Sequence, residues 1–228
     1  MWSGLTGRLE GRLVVLEPLE ARHREGLWAA AQHAEIWEWW PVNPCVNEAS
    51  FRAWFEGAVR ASQDGRALHF ATLDARSCLA IGSTSFCTPR PEARSVEIGW
   101  TWLTPRAWGS GANVEAKLLM LQHAFTQLAC IRVEFETDEE NIRSRRALEA
   151  LPAHFEGILR NWRILANGRR RSSALYSILD DEWPDVRSNL ERRLDQRDTD
   201  HGGSGPDRRR PGSRRRAAKF GMTEAPRA

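Results

Sequence analysis

The chain has 228 residues, of which 41% are hydrophobic and 28% are charged, and this composition is typical of a globular protein with one core. It contains neither an apolar run near the roughly 18 residues of a membrane span nor a basic stretch followed by an apolar block, so we expect a cytoplasmic protein without a membrane partner. The net charge is +3, but residues 196–228 carry nine Lys/Arg and four Asp/Glu, which leaves residues 1–195 near −2 and argues against nucleic-acid binding as the main role.

The first half of the chain combines segments that alternate like strands with segments that have helical spacing. The expected strands are 12–19, 67–73, 79–86 and 94–103, and the expected helices are 21–32 and 47–62. In the strand 94–103, period-2 alternation places Val96, Ile98, Trp100 and Trp102 on one face.

The second half of the chain begins with the strongest helical pattern, over 111–129. Its apolar stripe consists of Val114, Leu118, Leu121, Phe125 and Leu128. The elements expected after it are a strand at 131–137, a short helix from Asn141 to Leu151, strands at 154–165 and 170–180, and a closing helix at 183–194. Asn167-Gly168 predicts a tight hairpin between the last two strands. Hairpins together with helical crossovers predict a mixed sheet layered with helices, of the α/β (α+β) class.

Residues 196–228 are rich in Asp, Gly, Pro and Arg and have almost no large apolar residues. Such a segment cannot bury enough surface to offset its ordering entropy, so we expect a disordered Arg-rich tail. The arginine triplets 208–210 and 214–216 either contact nucleic acid weakly or are solvated without a partner.

The cysteines and histidines do not form a recognisable metal-binding pattern. The four cysteines lie far apart, with no CxxC pair, and the sequence has no HExxH. We therefore expect free thiols and no metal site.

The segment Arg106-Ala107-Trp108-Gly109-Ser110-Gly111 links the strand 94–103 to the long helix. A helix N-terminus presents unpaired N–H groups and positive charge, and glycines let the backbone approach a bulky anion. The segment therefore predicts a phosphate or pyrophosphate cradle, with a plain turn as the alternative. It is not a P-loop, because Gly-Lys-Ser/Thr is missing, and Val114 occupies the place of the third glycine in a dinucleotide fingerprint.

The pattern Arg-x-x-Gly-x-Gly between a mid-chain strand and a long helix resembles the coenzyme A signature of the GNAT acetyltransferase superfamily. Asn141-Ile142-Arg143-Ser144 resembles the Asn-x-x-Ser segment of the RimJ/RimL-like branch, whose members acetylate N-terminal amines of ribosomal proteins or small amines. The resemblance covers roughly residues 5–194. It implies one acetyltransferase domain over 1–195, a bent mixed sheet with helices on both faces, and transfer of an acetyl group from acetyl-CoA to a primary amine by direct attack. The amine would belong to a small molecule or a protein N-terminus.

The resemblance also implies a set of cofactor-binding residues. The backbone of the segment 106–111 would hold the pyrophosphate, with added charge from Arg106, and the main chain of Trp100–Leu103 would pair with the pantetheine arm. Asn141 would either bind the cofactor or only cap its helix. The predicted residues are Trp100, Trp102, Leu103, Arg106, Ala107, Trp108, Gly109, Ser110, Gly111 and Asn141.

Glu97 is the candidate general base, because it lies mid-strand beside the expected cofactor strand, and Glu134 and Glu136 on the next strand are alternatives. Ser144, by its match to the RimL-like serine, would protonate the departing thiolate. The fold implies that the first helices shape the acceptor site. Aromatic and acidic side chains there would suit a cationic amine, and these are Trp37, Glu38, Trp39 and Trp40.

Three features depart from the family pattern. Leu151-Pro152-Ala153-His154-Phe155 replaces Leu-Gly-Phe after the short helix, and Arg163 stands where RimL-like enzymes have a glutamate. Many members of the family also have a tyrosine on the short helix that protonates the leaving thiolate, but the only tyrosine here is Tyr176, outside that helix. A second hypothesis is therefore an acyl-CoA-binding regulatory protein with impaired catalysis. The sequence does not fix the oligomeric state and is compatible with a homodimer.

Overall fold

The computed structural model of the protein describes residues 7–165 and 167–202. These residues form eight strands and five α-helices, in the order β1 (Leu9–Glu10), β2 (Val14–Pro18), α1 (Arg24–Ala30), α2 (Glu48–Gln63), β3 (Ala67–Asp74), β4 (Ala80–Arg90), β5 (Ser95–Leu103), α3 (Ala112–Thr126), β6 (Arg132–Asp138), α4 (Ile142–Glu149), β7 (His154–Ile164), β8 (Arg170–Leu179) and α5 (Trp183–Gly202). None of the described helices is long and apolar enough to cross a membrane.

The strands form one sheet in the order β1-β2-β3-β4-β5-β6-β8-β7. All neighbours pair antiparallel except β5 and β6, which are parallel and joined by α3. Their pairing is short, because it joins only Ser95–Glu97 to Arg132–Glu134. Beyond these residues the two strands have no described pairing, and a gap opens inside the sheet.

Each face of the sheet carries its own apolar core. One core packs α3 and α5 against the sheet, and the other packs α1 and α2 against the opposite face. The buried strand β3 contributes to both, since Phe70 belongs to the first core and Ala71 to the second. The expected mixed sheet with helices on both faces is confirmed.

Strand β5 does not keep the expected alternation. Two of its residues, Trp100 and Thr101, lie opposite a single residue of β4, and Trp100 has a positive φ of 50°. This bulge reverses the faces of the residues that follow it. Val96 and Ile98 lie in the core beside α3, whereas Trp102 lies in the core beside α1 and α2. The prediction that these side chains share one face is therefore wrong.

The predicted hairpin and closing helix both form. Gly168 has a φ of 80°, and its N–H donates to the carbonyl of Leu165 at 2.9 Å. Helix α5 continues to Gly202 and so includes the first residues of the predicted tail. The rest of that tail, 203–228, lies outside the described residues.

Glu115 ties α3 to the turn between β1 and β2. Its carboxylate accepts N–H bonds from Arg12 at 2.9 Å, Leu13 at 2.6 Å and Val14 at 2.8 Å. A Cβ added at Gly11 would lie 2.3 Å from the same carboxylate, so only glycine fits there. The buried charge therefore satisfies three main-chain donors of a turn that has no room for a side chain.

We expect Glu115→Gln to destabilise the fold, because an amide has one accepting oxygen where the carboxylate has two. The cost should be about 1.5–3 kcal/mol, the range for hydrogen bonds to a charged group. Urea unfolding measures this cost. The matched control is Glu191→Gln, which removes an exposed ion pair to Arg187 and should cost less than about 1 kcal/mol. Equal losses in the two variants would contradict this role for Glu115.

Candidate active site

The gap between β5 and β6 is a cleft of about 600 Å³. Its walls are β5 beyond Glu97, the end of β6, the N-terminal part of α3 and one face of α4. In the described part of the chain, the β5 edge that faces away from β4 has no strand partner after Glu97. The carbonyls of Gly99 and Leu103 accept side-chain donors from Ser85 and Trp108. Without a strand partner, this edge can accept an extended ligand that adds to the sheet like another strand.

The turn before α3 forms one end of this cleft. Ala107, Trp108, Gly109 and Gly111 all line it. Gly109 has a φ of 73°, and no heavy atom lies within 4 Å of the position that a Cβ would take. Gly111 also has a positive φ, but its Cβ would lie 3.0 Å from Leu13. The open approach predicted for both glycines therefore exists at Gly109, whereas Gly111 serves the turn and its packing.

Two members of the predicted cradle are outside the cleft lining. Arg106 is exposed to solvent, because the short 3-10 turn Pro105–Ala107 directs Ala107 inward instead. The Ser110 hydroxyl donates to the carbonyl of Ala107 at 2.7 Å and accepts the N–H of Ala112 at 3.2 Å. The prediction that Arg106 brings charge to the cleft is corrected by this placement, and Ser110 stabilises the turn.

Three other arginines supply positive charge at this end of the cleft: Arg143 from α4 and Arg193 and Arg197 from α5. The Arg143 guanidinium lies 3.9 Å from the ring centre of Trp108, and Arg197 donates to the carbonyl of Gly109. Burial and the neighbouring Arg197 lower the pKa of Arg193. The four-residue spacing of Arg193 and Arg197 places them on one helix face, but the sequence gives no sign of where that face docks.

Helix α4 places Asn141 and Ser144 in the cleft wall. The side-chain oxygen of Asn141 accepts the N–H of Ser144 at 3.0 Å, so Asn141 is the N-cap of α4. Of the two roles considered for Asn141, capping is the one that the geometry shows. Its contact with a cofactor stays a prediction, as does the proton-donor role of Ser144.

Glu97 lines the cleft and is the last residue of β5 that pairs with β6. Its carboxylate accepts the hydroxyl of Thr88 at 3.2 Å. Burial raises the pKa of Glu97, and the negative charge of Glu136 raises it further. A raised pKa makes a carboxylate a better proton acceptor near neutral pH.

The two alternative carboxylates are held in ion pairs. Glu136 lines the cleft, but it accepts from Arg163 at 3.0 Å and Arg171 at 3.4 Å. Burial acts to raise the pKa of Glu136, but its hydrogen bonds and the arginine charges outweigh burial and lower it. Glu134 is outside the lining and is paired with Arg90 and Arg132. Glu97 is therefore the carboxylate best placed to accept a proton.

Tyr176 does not replace the tyrosine missing from α4. It is fully buried and outside the cleft lining. Its hydroxyl accepts from Arg145 at 3.0 Å and lies 3.3 Å from a carboxylate oxygen of Glu149. The one tyrosine of the chain is therefore a structural residue.

An aromatic wall continues the cleft toward the N-terminal helices. Trp39 and Trp40 line it, and the ring of Trp40 lies 5.2 Å from that of Trp100. Trp37 does not line it, because its ring is buried and its indole N–H donates to a backbone carbonyl in the core at 3.0 Å. Glu38 is exposed and also outside the lining. Two of the four predicted acceptor-site residues are therefore in the cleft, and the other two placements are corrected.

Comparison with known proteins identifies the family to which this fold belongs. Residues 13–153 match the family described as acetyltransferase (GNAT) domain. The uncharacterised N-acetyltransferase p20 of Bacillus licheniformis is 25% identical over 170 residues, which are 75% of this chain and 94% of that protein. The crystal structure of a GCN5-related N-acetyltransferase from Brucella melitensis has 33% identity and a TM-score of 0.78, covering 82% of this chain and 85% of that one. Mycobacterium smegmatis RimJ in complex with CoA-disulfide shares the fold, with 22% identity and a TM-score of 0.73 over 85% of this chain and 98% of that one. Since the family match spans more than half of the chain, the protein belongs to the GNAT acetyltransferase family.

Proposed function

We propose that the protein is an N-acetyltransferase that transfers the acetyl group of acetyl-CoA to a primary amine by direct attack. One observation carries the proposal: the unpaired edge of β5 and the open turn at Gly109 face the same cleft. The edge suits a pantetheine arm, and the turn at the N-terminus of α3 suits a pyrophosphate. The names of p20 and of the Brucella melitensis protein support the reaction, and the ligand named for RimJ supports the cofactor.

Acetyl-CoA supplies an acyl group that is activated as a thioester. Backbone N–H groups of β5 near the Trp100 bulge would donate to the thioester oxygen and stabilise the negative charge that develops there. An amine with a pKa of about 8 to 10 is mostly protonated at pH 7. Glu97 would accept its proton, directly or through water. Ser144 would donate a proton to the departing sulfur.

The acceptor would enter along the aromatic wall. Trp39, Trp40 and Trp100 offer ring faces to a cation, and Glu97 lies in the same cleft. These features favour a cationic amine, either on a small molecule or at a protein N-terminus. An acceptor screen should therefore find an amine that releases the coenzyme A thiol and gains one acetyl group by mass.

The second candidate is a regulatory protein that binds acyl-CoA without turnover, and the structural role of Tyr176 favours it. The same screen separates the two. Saturable acetyl-CoA binding with no thiol release from aminoglycosides, polyamines, amino acids or peptides would favour the regulatory protein.

Gly109→Val tests the placement of the pyrophosphate. The added side chain should crowd the turn and weaken coenzyme A binding by at least about tenfold, or ~1.4 kcal/mol, measured by calorimetry. Gly168→Val is the matched control, since Gly168 has a similar φ of 80° and equally open surroundings, and it lies in the β7–β8 turn. Both variants strain the backbone, but only the first should lose affinity. Unchanged affinity in Gly109→Val would count against the placement.

Arg143→Ala tests which arginine supplies positive charge at the end of the cleft beside the Gly109 turn. Removing one charged donor from a phosphate should cost about 1.5–3 kcal/mol, which is at least tenfold in the Kd for coenzyme A. Arg106→Ala, at the exposed position outside the lining, should change the Kd by less than about twofold. The reverse order of effects would restore the original prediction for Arg106.

Glu97→Gln tests the general base. Turnover should fall by about 10² or more with cofactor affinity unchanged, whereas Glu134→Gln should keep its turnover. In the unsubstituted protein, turnover should fall as the pH drops through the raised pKa of Glu97, because protonation removes the base. In a pH–rate profile of kcat/KM, this fall in rate on the acid side (the acid limb) should have an apparent pKa above the ordinary value for glutamate. A Glu97→Gln variant that retains the limb would assign it to another group.

A further inference from the structure

Lys117 is a buried amine in the cleft wall that the mechanism above does not use. It lies on α3, its residue is 6% exposed, and its Nζ donates to the hydroxyl of Thr101 at 2.8 Å. Thr101 follows the bulge residue Trp100, where the backbone would orient the thioester. The amine is therefore held beside the segment of β5 where the acetyl group is expected.

In the described part of the chain, the surroundings of Lys117 provide no carboxylate that would compensate for its burial. Among the described residues, no carboxylate lies within ion-pair distance of Nζ; Glu115 on the same helix is turned to the β1–β2 backbone. On β4 the titratable neighbour is the Cys87 thiol, and burial raises its pKa well above the ordinary value, so it is uncharged. On β5, Glu97 faces Cys87, and burial raises its pKa.

Burial outweighs the opposing influence of Cys87 and lowers the pKa of Lys117 to about 7. A pKa near 7 makes the uncharged amine available near neutral pH, and a neutral lysine amine is a nucleophile. An apolar side chain would fill this position without the cost of desolvating an ammonium group. A role for the amine in the chemistry of the cleft would account for a lysine here.

We propose that Lys117 is acetylated by the cofactor bound in the same cleft when no acceptor amine is present. This inference rests on the proposed function, since it requires acetyl-CoA in the cleft. The lone pair of Nζ attacks the thioester carbon, a C–N bond forms and the C–S bond breaks. The proton that leaves the nitrogen goes to the sulfur, so the products are acetyl-lysine and the coenzyme A thiol. The bulkier acetamide would narrow the cleft and reduce further cofactor binding.

The test is to incubate the full chain with acetyl-CoA alone and to follow intact mass and peptide maps. Lys117 and Lys219 are the only lysines in the sequence, so a modified lysine is assigned without ambiguity. We expect one acetyl group on Lys117, lost in Lys117→Met and retained in the control Lys219→Arg. The rate should rise as the pH increases through about 7 and then level off, because the neutral amine reacts.

Several outcomes would overturn the inference. One is acetylation confined to Lys219 or the α-amino group, and another is equal modification of Lys117 in urea-unfolded chain. If Lys117 stays unmodified while the folded protein binds acetyl-CoA and acetylates an acceptor, this inference fails and the proposed function stands. If calorimetry detects no acetyl-CoA binding, the proposed function itself fails.

Discussion

The early end of the parallel pairing between β5 and β6 is the constraint on which the site depends. Three residues of each strand pair, and then the strands separate inside the sheet. A main-chain edge in that position must find hydrogen-bond partners, and water or an extended ligand can supply them. The loop before α3 and the first turn of α4 follow these two diverging strands, so the same separation brings both helix starts to one cleft.

Charged side chains lie at both ends of the cleft. Arginines from α4 and α5 surround the Gly109 turn, and the region where β5 and β6 part holds Glu97 and Glu136 together with the arginines that pair with Glu136. Glu97 and Glu136 share that region but differ in their partners. The ion pairs of Glu136 lower its pKa, whereas burial raises that of Glu97. Two neighbouring glutamates therefore have pKa values that shift in opposite directions, as proton transfer by Glu97 alone would require.

The sequence predicted the elements better than the directions of their side chains. Helix 47–62 and the Asn167-Gly168 turn were readable because their signals are local. The sequence did not show which side of the sheet Trp102 faces, because the bulge at Trp100 depends on pairing with β4. For a single tryptophan such as Trp37, the sequence does not show whether the ring is buried in the core or lines a binding site.

The charged lining of the cleft was least predictable, for a related reason. Arg106 lies within the motif yet is exposed, while Arg193 reaches the cleft from a helix more than 80 residues further along the chain. Lys117 lies within the apolar pattern of α3, and its burial depends on how that helix packs against the sheet. Contacts between distant segments decide the placements of Arg193 and Lys117, whereas the local turn Pro105–Ala107 leaves Arg106 exposed, and one sequence without its fold reveals none of the three.

The turn at Gly109 is fixed by segments from both ends of the domain. Glu115 binds the β1–β2 turn about 100 residues earlier, and Arg197 binds Gly109 from 88 residues later. Contacts of such long sequence separation form slowly during folding. A chain emerging from the ribosome would therefore complete this cleft only after α5 has been synthesised and docked.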